Sequence, residues 1–460
     1  MIKVQKKEIE KYLNIALSTG AEYAEIYIEH AENKIFRLTD SKLDNIDTSN
    51  INGIGIRIIA AGESYYTSTN DLTDKNIIKT INKLLKNIKG DKIKTVKLST
   101  KTNFTQKYKI PHNAYSTENK KKLLYEIDEI ARKTSELVVQ VSAGIVETDK
   151  EFTIANSNGK YTCSNSVLTR IICTVYTQKG DIKEHEFIDY GKGMGYELLE
   201  EVNIEEMIKK ATETAVKKLD SIDFKGGELP VVIAPGFGAV IFHEACGHGL
   251  EATSVAPHLS VFSDDLGKKV ATDKVTLIDD GTIENAWGSS LIDDEGNKTK
   301  ENVLIENGIL KSYLIDDFNS KEMNSKSNGC GRRQNYNYAT TSRMSNTYIK
   351  PGKDKIEDMI KSIDLGVFCE KMSGGSVNPA TGDFNFAVDT ARLIKNGELK
   401  EYLKGITLIG NSKDILNNVE MVSDDLEISA GYCGSKSGMI PVTIGQPTIK
   451  ISKILVGGKE

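Results

Sequence analysis

Apolar residues recur at helical spacing in several stretches of the chain. Ile9, Tyr12, Leu13 and Ala16 follow the i, i+3, i+4, i+7 pattern and predict a helix near 6–18 with one buried stripe. Ile204, Met207, Ile208, Ala211, Ala215 and Leu219 mark another, and a third is expected over 117–134. Between these stretches the period falls to two. Strands are expected at 25–29, 34–38 and 53–60, the last with Ile54, Ile56 and Ile58 alternating as a half-buried strand requires. More follow at 138–146, 151–155 and 167–178, two of them joined through Asn158-Gly159, a hairpin signal.

A polar stretch at 220–227 separates this half from one of different character. A strand at 230–233, a Pro235-Gly-Phe-Gly turn and a helix from about 239 open it, and β patterning dominates beyond. Asp280-Gly281, Asn307-Gly308 and Asn396-Gly397 each lie between apolar runs, as hairpin turns do. The segments 304–314 and 393–403 resemble each other closely, which reads as one hairpin solution used twice rather than as a binding element. The expected fold is α+β: an N-terminal α/β sandwich-like domain, 1–222, followed by a mainly antiparallel, barrel-like β domain, 223–460, that carries the histidine-bearing helix.

Composition narrows the class. A chain of 460 residues, 39% hydrophobic and 27% charged, is long enough for two cores and too apolar to be disordered. A net charge of −5 supplies no basic field for collecting phosphates, so nucleic acid is not an expected partner. No membrane-length apolar run or signal-type segment is present, so no membrane partner and a cytoplasmic location are expected. Six cysteines without a Cys-x-x-Cys pair do not form a disulfide framework.

Histidine is scarce, at six in the chain, yet two stand close together in His243-Glu-Ala-Cys-Gly-His248. Two imidazoles with a carboxylate between them supply neutral metal ligands and a base for a water molecule, which is what a hydrolytic zinc site needs. The familiar spacing is i, i+4, whereas here it is i, i+5. In a regular helix five residues turn through about 500°, leaving the imidazoles roughly 140° apart. A π-type bulge would reunite them, and Gly247 is a place for the backbone to yield. Otherwise the histidines lie on different faces. Cys246, at i+3 from His243, is the ligand a purely local reading would choose.

The segment from Pro230 to Glu251 resembles the metal-binding strand, turn and helix of the TldD/PmbA metallopeptidases, once called modulators of DNA gyrase, whose motif has the same His-Glu-x-x-x-His spacing. Further similarities follow in order: Asp293-Asp-Glu-Gly296, Gly331-Arg-Arg-Gln334, Arg343-Met-Ser-Asn-Thr347, Gly374-Gly375 with Pro379-Ala-Thr-Gly-Asp-Phe384, and Cys433-Gly434 before Pro441-Val442. The resemblance also reaches 53–69 and so spans essentially the whole chain. An intact motif places it with the catalytic TldD-type subunits.

That resemblance implies Zn2+ held by His243, His248 and Cys433, with Glu244 as base and Cys246 left as a packing residue. It implies unfolded or flexible polypeptides as substrates, and a dimer with a PmbA/TldE-type homologue, a homodimer being the alternative. Arg332 and Arg333 are candidates for holding a peptide carboxylate or an oxyanion, against ion pairs that brace a loop. Gly374 and Gly375 allow a substrate backbone to approach and add as a strand. His258 is a candidate donor or a surface histidine, Asp293-Asp-Glu-Gly296 a turn near the site, and His185 an exposed strand residue. Ser435 and Thr341 depart from the family pattern, so substrate contacts near them are open. The competing function is a non-catalytic scaffold or regulatory subunit, which would have no need of the complete ligand set.

Overall fold

The computed structural model describes residues 4–44, 46–91 and 94–458. Its first half is built on an eight-stranded sheet. The long strands Tyr23–Thr39, Asp47–Ala60, Val138–Asn156 and Tyr161–Lys179 pair antiparallel, with Ile26 opposite both Ile56 and Ala155. The strands expected at 25–29 and 34–38 are thus one. The polar run His30–Lys34 hides this in the sequence, but ladder pairing on both sides carries the strand through it.

Alternation along these strands sorts the sheet into two faces. Ile26, Ile28, Phe36 and Leu38 point to one, which four helices cover. Lys6–Ala16 and Asp74–Leu85 bring Ile9, Leu13, Ile77 and Ile81 onto Ile26, Ile56 and Ile58. Thr117–Thr134 and Ile204–Lys218 bring Leu124, Ile127 and Ile208 onto Phe36, Leu38 and Val141. Each such side chain contributes about 1.5–3 kcal/mol on full burial.

The other face meets the second half of the chain. Tyr27, Phe152 and Ile154 pack against Ile292 and Tyr336. Among them lie the buried ion pairs Arg57–Glu295 and Arg333–Glu25.

In the second half Gly226–Ile233, Leu365–Val377, Asp383–Lys395, Thr407–Asn411 and Ile449–Gly457 close into a five-stranded barrel. A six-stranded sheet packs beside it, its edge formed by Glu427–Ser435, which among the described residues pairs with Gly438–Gln446 alone. Ile233, Phe242, Leu250, Val367, Phe386 and Ile444 belong to the core the two share.

Asn307-Gly308 and Asn396-Gly397 both turn with positive φ, as a two-residue hairpin loop requires. They lie in different sheets, so the likeness ends at the hairpin. Asp280-Gly281 is not a hairpin turn. Asp280 folds its carboxylate back onto the N–H and hydroxyl of Thr282, and the chain makes a long excursion before Glu301 pairs with Asp280.

Candidate metal centre

The first barrel strand, Gly226–Ile233, delivers the chain to a short helical run that begins at Gly236. At His243–Gly247 the turn widens to a π-helix, and the His248 N–H bonds to the His243 carbonyl. This one-residue expansion turns the i, i+5 pair to the same side. Gly247 itself has ordinary helical angles, φ −54° and ψ −53°. Its bare Cα makes room for Met344: a Cβ there would stand 2.0 Å from the Met344 sulfur.

The donor atoms of His243, His248 and Cys433 all lie within 4.8 Å of one another. The two imidazoles are nearly perpendicular, at 83°, with centroids 5.3 Å apart. Cys433 Sγ is 3.1 Å from His248 Nε2. Glu244 stands beside them, its Oε2 3.6 Å from the same nitrogen. Cys246 is wholly buried in the apolar core and is not part of the cluster.

Electrostatics in this cluster favour a thiolate. Burial alone would raise the Cys433 pKa, but His243 and His248 overcome it and bring the value down to about 3. Burial works to lower that of His248, while Glu251, 3.1 Å from Nδ1, and the Cys433 sulfur push it well above the ordinary imidazole range. Both ring nitrogens of His243 are buried without a hydrogen-bond partner among the described residues. A buried imidazole with idle nitrogens beside an ionised sulfur is a donor set for a cation, and two nitrogens with one thiolate suit zinc.

Arg343 closes the arrangement from behind. It donates from Nη2 to the Cys433 carbonyl at 2.6 Å and from Nη1 to Ser437 Oγ and the Gly438 carbonyl, while its Nε faces Glu251 Oε1 at 3.8 Å.

His243 and Glu244 open onto a cavity of about 710 Å³ between the two halves of the chain. Phe237, Gly374 and Tyr432 line it on their side, and Glu186, Phe187 and Met207 on the other. Gly374 has open space where a side chain would project, whereas a Cβ on Gly375 would meet the Phe386 ring at 2.2 Å, so that glycine serves packing. His185 is an exposed residue at the cavity rim.

Other candidates lie elsewhere. Arg332 gives its terminal nitrogens to the carbonyls of Met344 and Pro441, both at 2.7 Å. Arg333 is buried against Glu25 and the Tyr27 ring. Neither guanidinium is brought to the cavity, because both are spent on holding segments together. His258 is exposed, at φ 55°, near Asp264. Asp293-Asp-Glu-Gly296 forms a turn against the first sheet, with Asp293 accepting from the backbone of Glu295, Asn297 and Gly331.

Glu251 and Arg343 were not singled out from sequence, although Glu251 stands at i+3 from His248 and Arg343 lies in a segment already noted. Lys371, which bonds Glu186 and the Phe187 carbonyl across the cavity wall, left no sequence signal because its partners are far away in the chain.

Comparison with known proteins covers nearly the whole chain. The PmbA/TldA metallopeptidase domain 1 matches residues 24–88, the central domain 110–219 and the C-terminal domain 226–458. A metalloprotease TldD homolog of Buchnera aphidicola subsp. Schizaphis graminum is 36% identical over 440 residues, covering 93% of this chain and 89% of that protein. A zinc metalloprotease TldD homolog of Saccharolobus solfataricus is 29% identical, covering 97% and 99%. The crystal structure of TldE from Thermococcus kodakarensis has the same fold, with a TM-score of 0.78 at 20% identity over 98% of this chain and 100% of that one.

Proposed function

The chain belongs to the TldD/PmbA metallopeptidase family, and on that premise we propose that it is a zinc-dependent peptidase that cuts unfolded or flexible polypeptides. The observation that carries this is the meeting of His243, His248 and Cys433 beside Glu244 on a cavity wall. These three side chains would hold zinc, which when bound polarises a carbonyl and makes water more acidic. Glu244 takes the proton of the attacking water and delivers it to the leaving amine. Its side chain is 23% exposed, accessible from the cavity yet largely removed from bulk solvent.

Unfolded substrates suit the walls of this cavity. The strand Glu427–Ser435 is an unpaired sheet edge, and Ala430, Gly431 and Tyr432 present it to the cavity. An extended peptide added there is held through its main chain, with loose sequence preference. On the facing strand Lys218 and Lys371 already cap the His185 and Phe187 carbonyls, which discourages pairing on that side.

A PmbA/TldE-type subunit is the proposed partner, with a homodimer as the alternative, and the cytoplasm is the proposed location. No helix among the described residues is long and apolar enough to cross a membrane. The complete donor set favours a catalytic subunit over a scaffold. Incubation with a disordered protein and with a tightly folded one tests the reading. Cleavage of the first only, abolished by a chelator and restored by zinc, is expected. Chelator-insensitive cleavage, or equal rates on both, would overturn it.

A further inference from the structure

The two histidines of the cluster are supported unequally. Among the described residues neither nitrogen of His243 has a hydrogen-bond partner, while His248 Nδ1 faces Glu251 Oε2 at 3.1 Å. Pairing of Nδ1 with that carboxylate leaves Nε2 as the nitrogen available to a metal, and Nε2 is the atom that faces Cys433 Sγ. Glu251 is 3% exposed, and among the described residues its second oxygen has no hydrogen bond but faces Arg343 Nε, likewise without one, in a buried ion pair at 3.8 Å. Arg343, fully buried, commits its remaining donors to the hairpin that carries Cys433.

These contacts form one path from ligand to ligand: His248, Glu251, Arg343, Cys433. We propose that Glu251 and Arg343 are positioning residues for the metal centre: the carboxylate sets the tautomer and rotation of His248, and the guanidinium ties that carboxylate to the backbone of Cys433. The histidine helix and the cysteine hairpin belong to segments nearly two hundred positions apart, so nothing covalent fixes their spacing. A charged bridge between them does. A carboxylate behind a ligating imidazole also strengthens it as a donor. The inference rests on the zinc site proposed above and assigns the residues that hold it in shape.

The test is the zinc affinity of the purified full chain, by competition with a chromophoric chelator, together with the absorption spectrum of the cobalt-substituted protein. Glu251→Gln preserves shape but removes the charge, and is expected to weaken zinc binding about 10- to 100-fold and to shift the cobalt bands. Arg343→Lys is expected to weaken it too. The double variant should bind scarcely worse than the poorer single one, since each residue acts through the other. A Glu251→Gln protein with wild-type affinity and an unchanged cobalt spectrum would overturn the proposal, as would losses that simply add. Should Arg343→Lys not fold, Glu251→Gln decides alone. Wild-type protein that binds no zinc would instead remove the metal centre, and this inference with it.

Discussion

Gly247→Ala is an informative perturbation, because glycine at this position is explained by space and not by backbone conformation. With φ at −54° an alanine backbone is unstrained. Its Cβ, however, would stand 2.0 Å from Met344 Sδ and 2.8 Å from Cε. Non-bonded carbon-sized atoms settle at about 3.5–4.0 Å, so roughly 1.5 Å of displacement is needed. Met344 is fully buried and cannot swing into solvent. Overpacking of this kind costs about 1–3 kcal/mol, from which the better helix propensity of alanine subtracts about 1 kcal/mol. The net loss of stability should therefore be modest, about 0–2 kcal/mol. The larger effect is expected at the proposed metal site, since His248 is next in the chain and the π-turn that must yield joins both histidines. Zinc affinity, with a urea midpoint followed through the single tryptophan, Trp287, measures both effects. Adding Met344→Ala should restore zinc binding while lowering the midpoint further, because it relieves the clash but opens a cavity. Gly247→Ala with wild-type zinc affinity, or a double variant with no recovery, would show that the space beside Met344 does not govern the site.

Cys433→Ser should lose most of its zinc and activity while Cys246→Val keeps both, as metal analysis of the two proteins will show; the reverse pattern would reassign the ligand. In metal-free protein the Cys433 pKa of about 3 lies below the unfolded value, so the thiolate contributes stability fully at alkaline pH and loses it as pH falls toward 3. Ultraviolet thiolate absorbance should accordingly persist at pH 5 in the wild type and be missing in Cys433→Ser. Glu25→Gln leaves the buried Arg333 without its charge partner at the junction of the two halves, and a loss of about 3–5 kcal/mol is expected in chemical denaturation.

Sequence patterning revealed elements better than their extents. Three of the four helices covering the first sheet follow from apolar stripes such as Ile9, Tyr12, Leu13 and Ala16, all buried, whereas Asp74–Leu85 was not expected from the sequence. The strands were cut short wherever polar residues interrupted alternation, because a ladder paired on both sides tolerates a run such as His30–Lys34 that looks like a loop. Barrel closure was less legible, depending on the pairing of Leu365–Val377 with Asp383–Lys395 and on strands far apart in sequence.

At the site the π-turn was readable as one of two alternatives, since i, i+5 histidines meet only if the helix widens. The role of Gly247 was misread as backbone freedom, because Met344 is invisible from its neighbours in the chain. For Arg332 and Arg333 the sequence left two readings open, an anion ligand and a brace between segments. Their partners are carbonyls and a carboxylate brought in by the fold.

In the proposed reaction Glu244 moves the proton while His243, His248 and Cys433 hold the metal. Glu244→Gln separates the two roles, since it keeps the side chain's shape and leaves the three proposed donor atoms in place. Zinc content and cleavage of a disordered protein, measured on the same preparation, should show wild-type zinc and no hydrolysis. Hydrolysis at the wild-type rate would show that Glu244 is not the base.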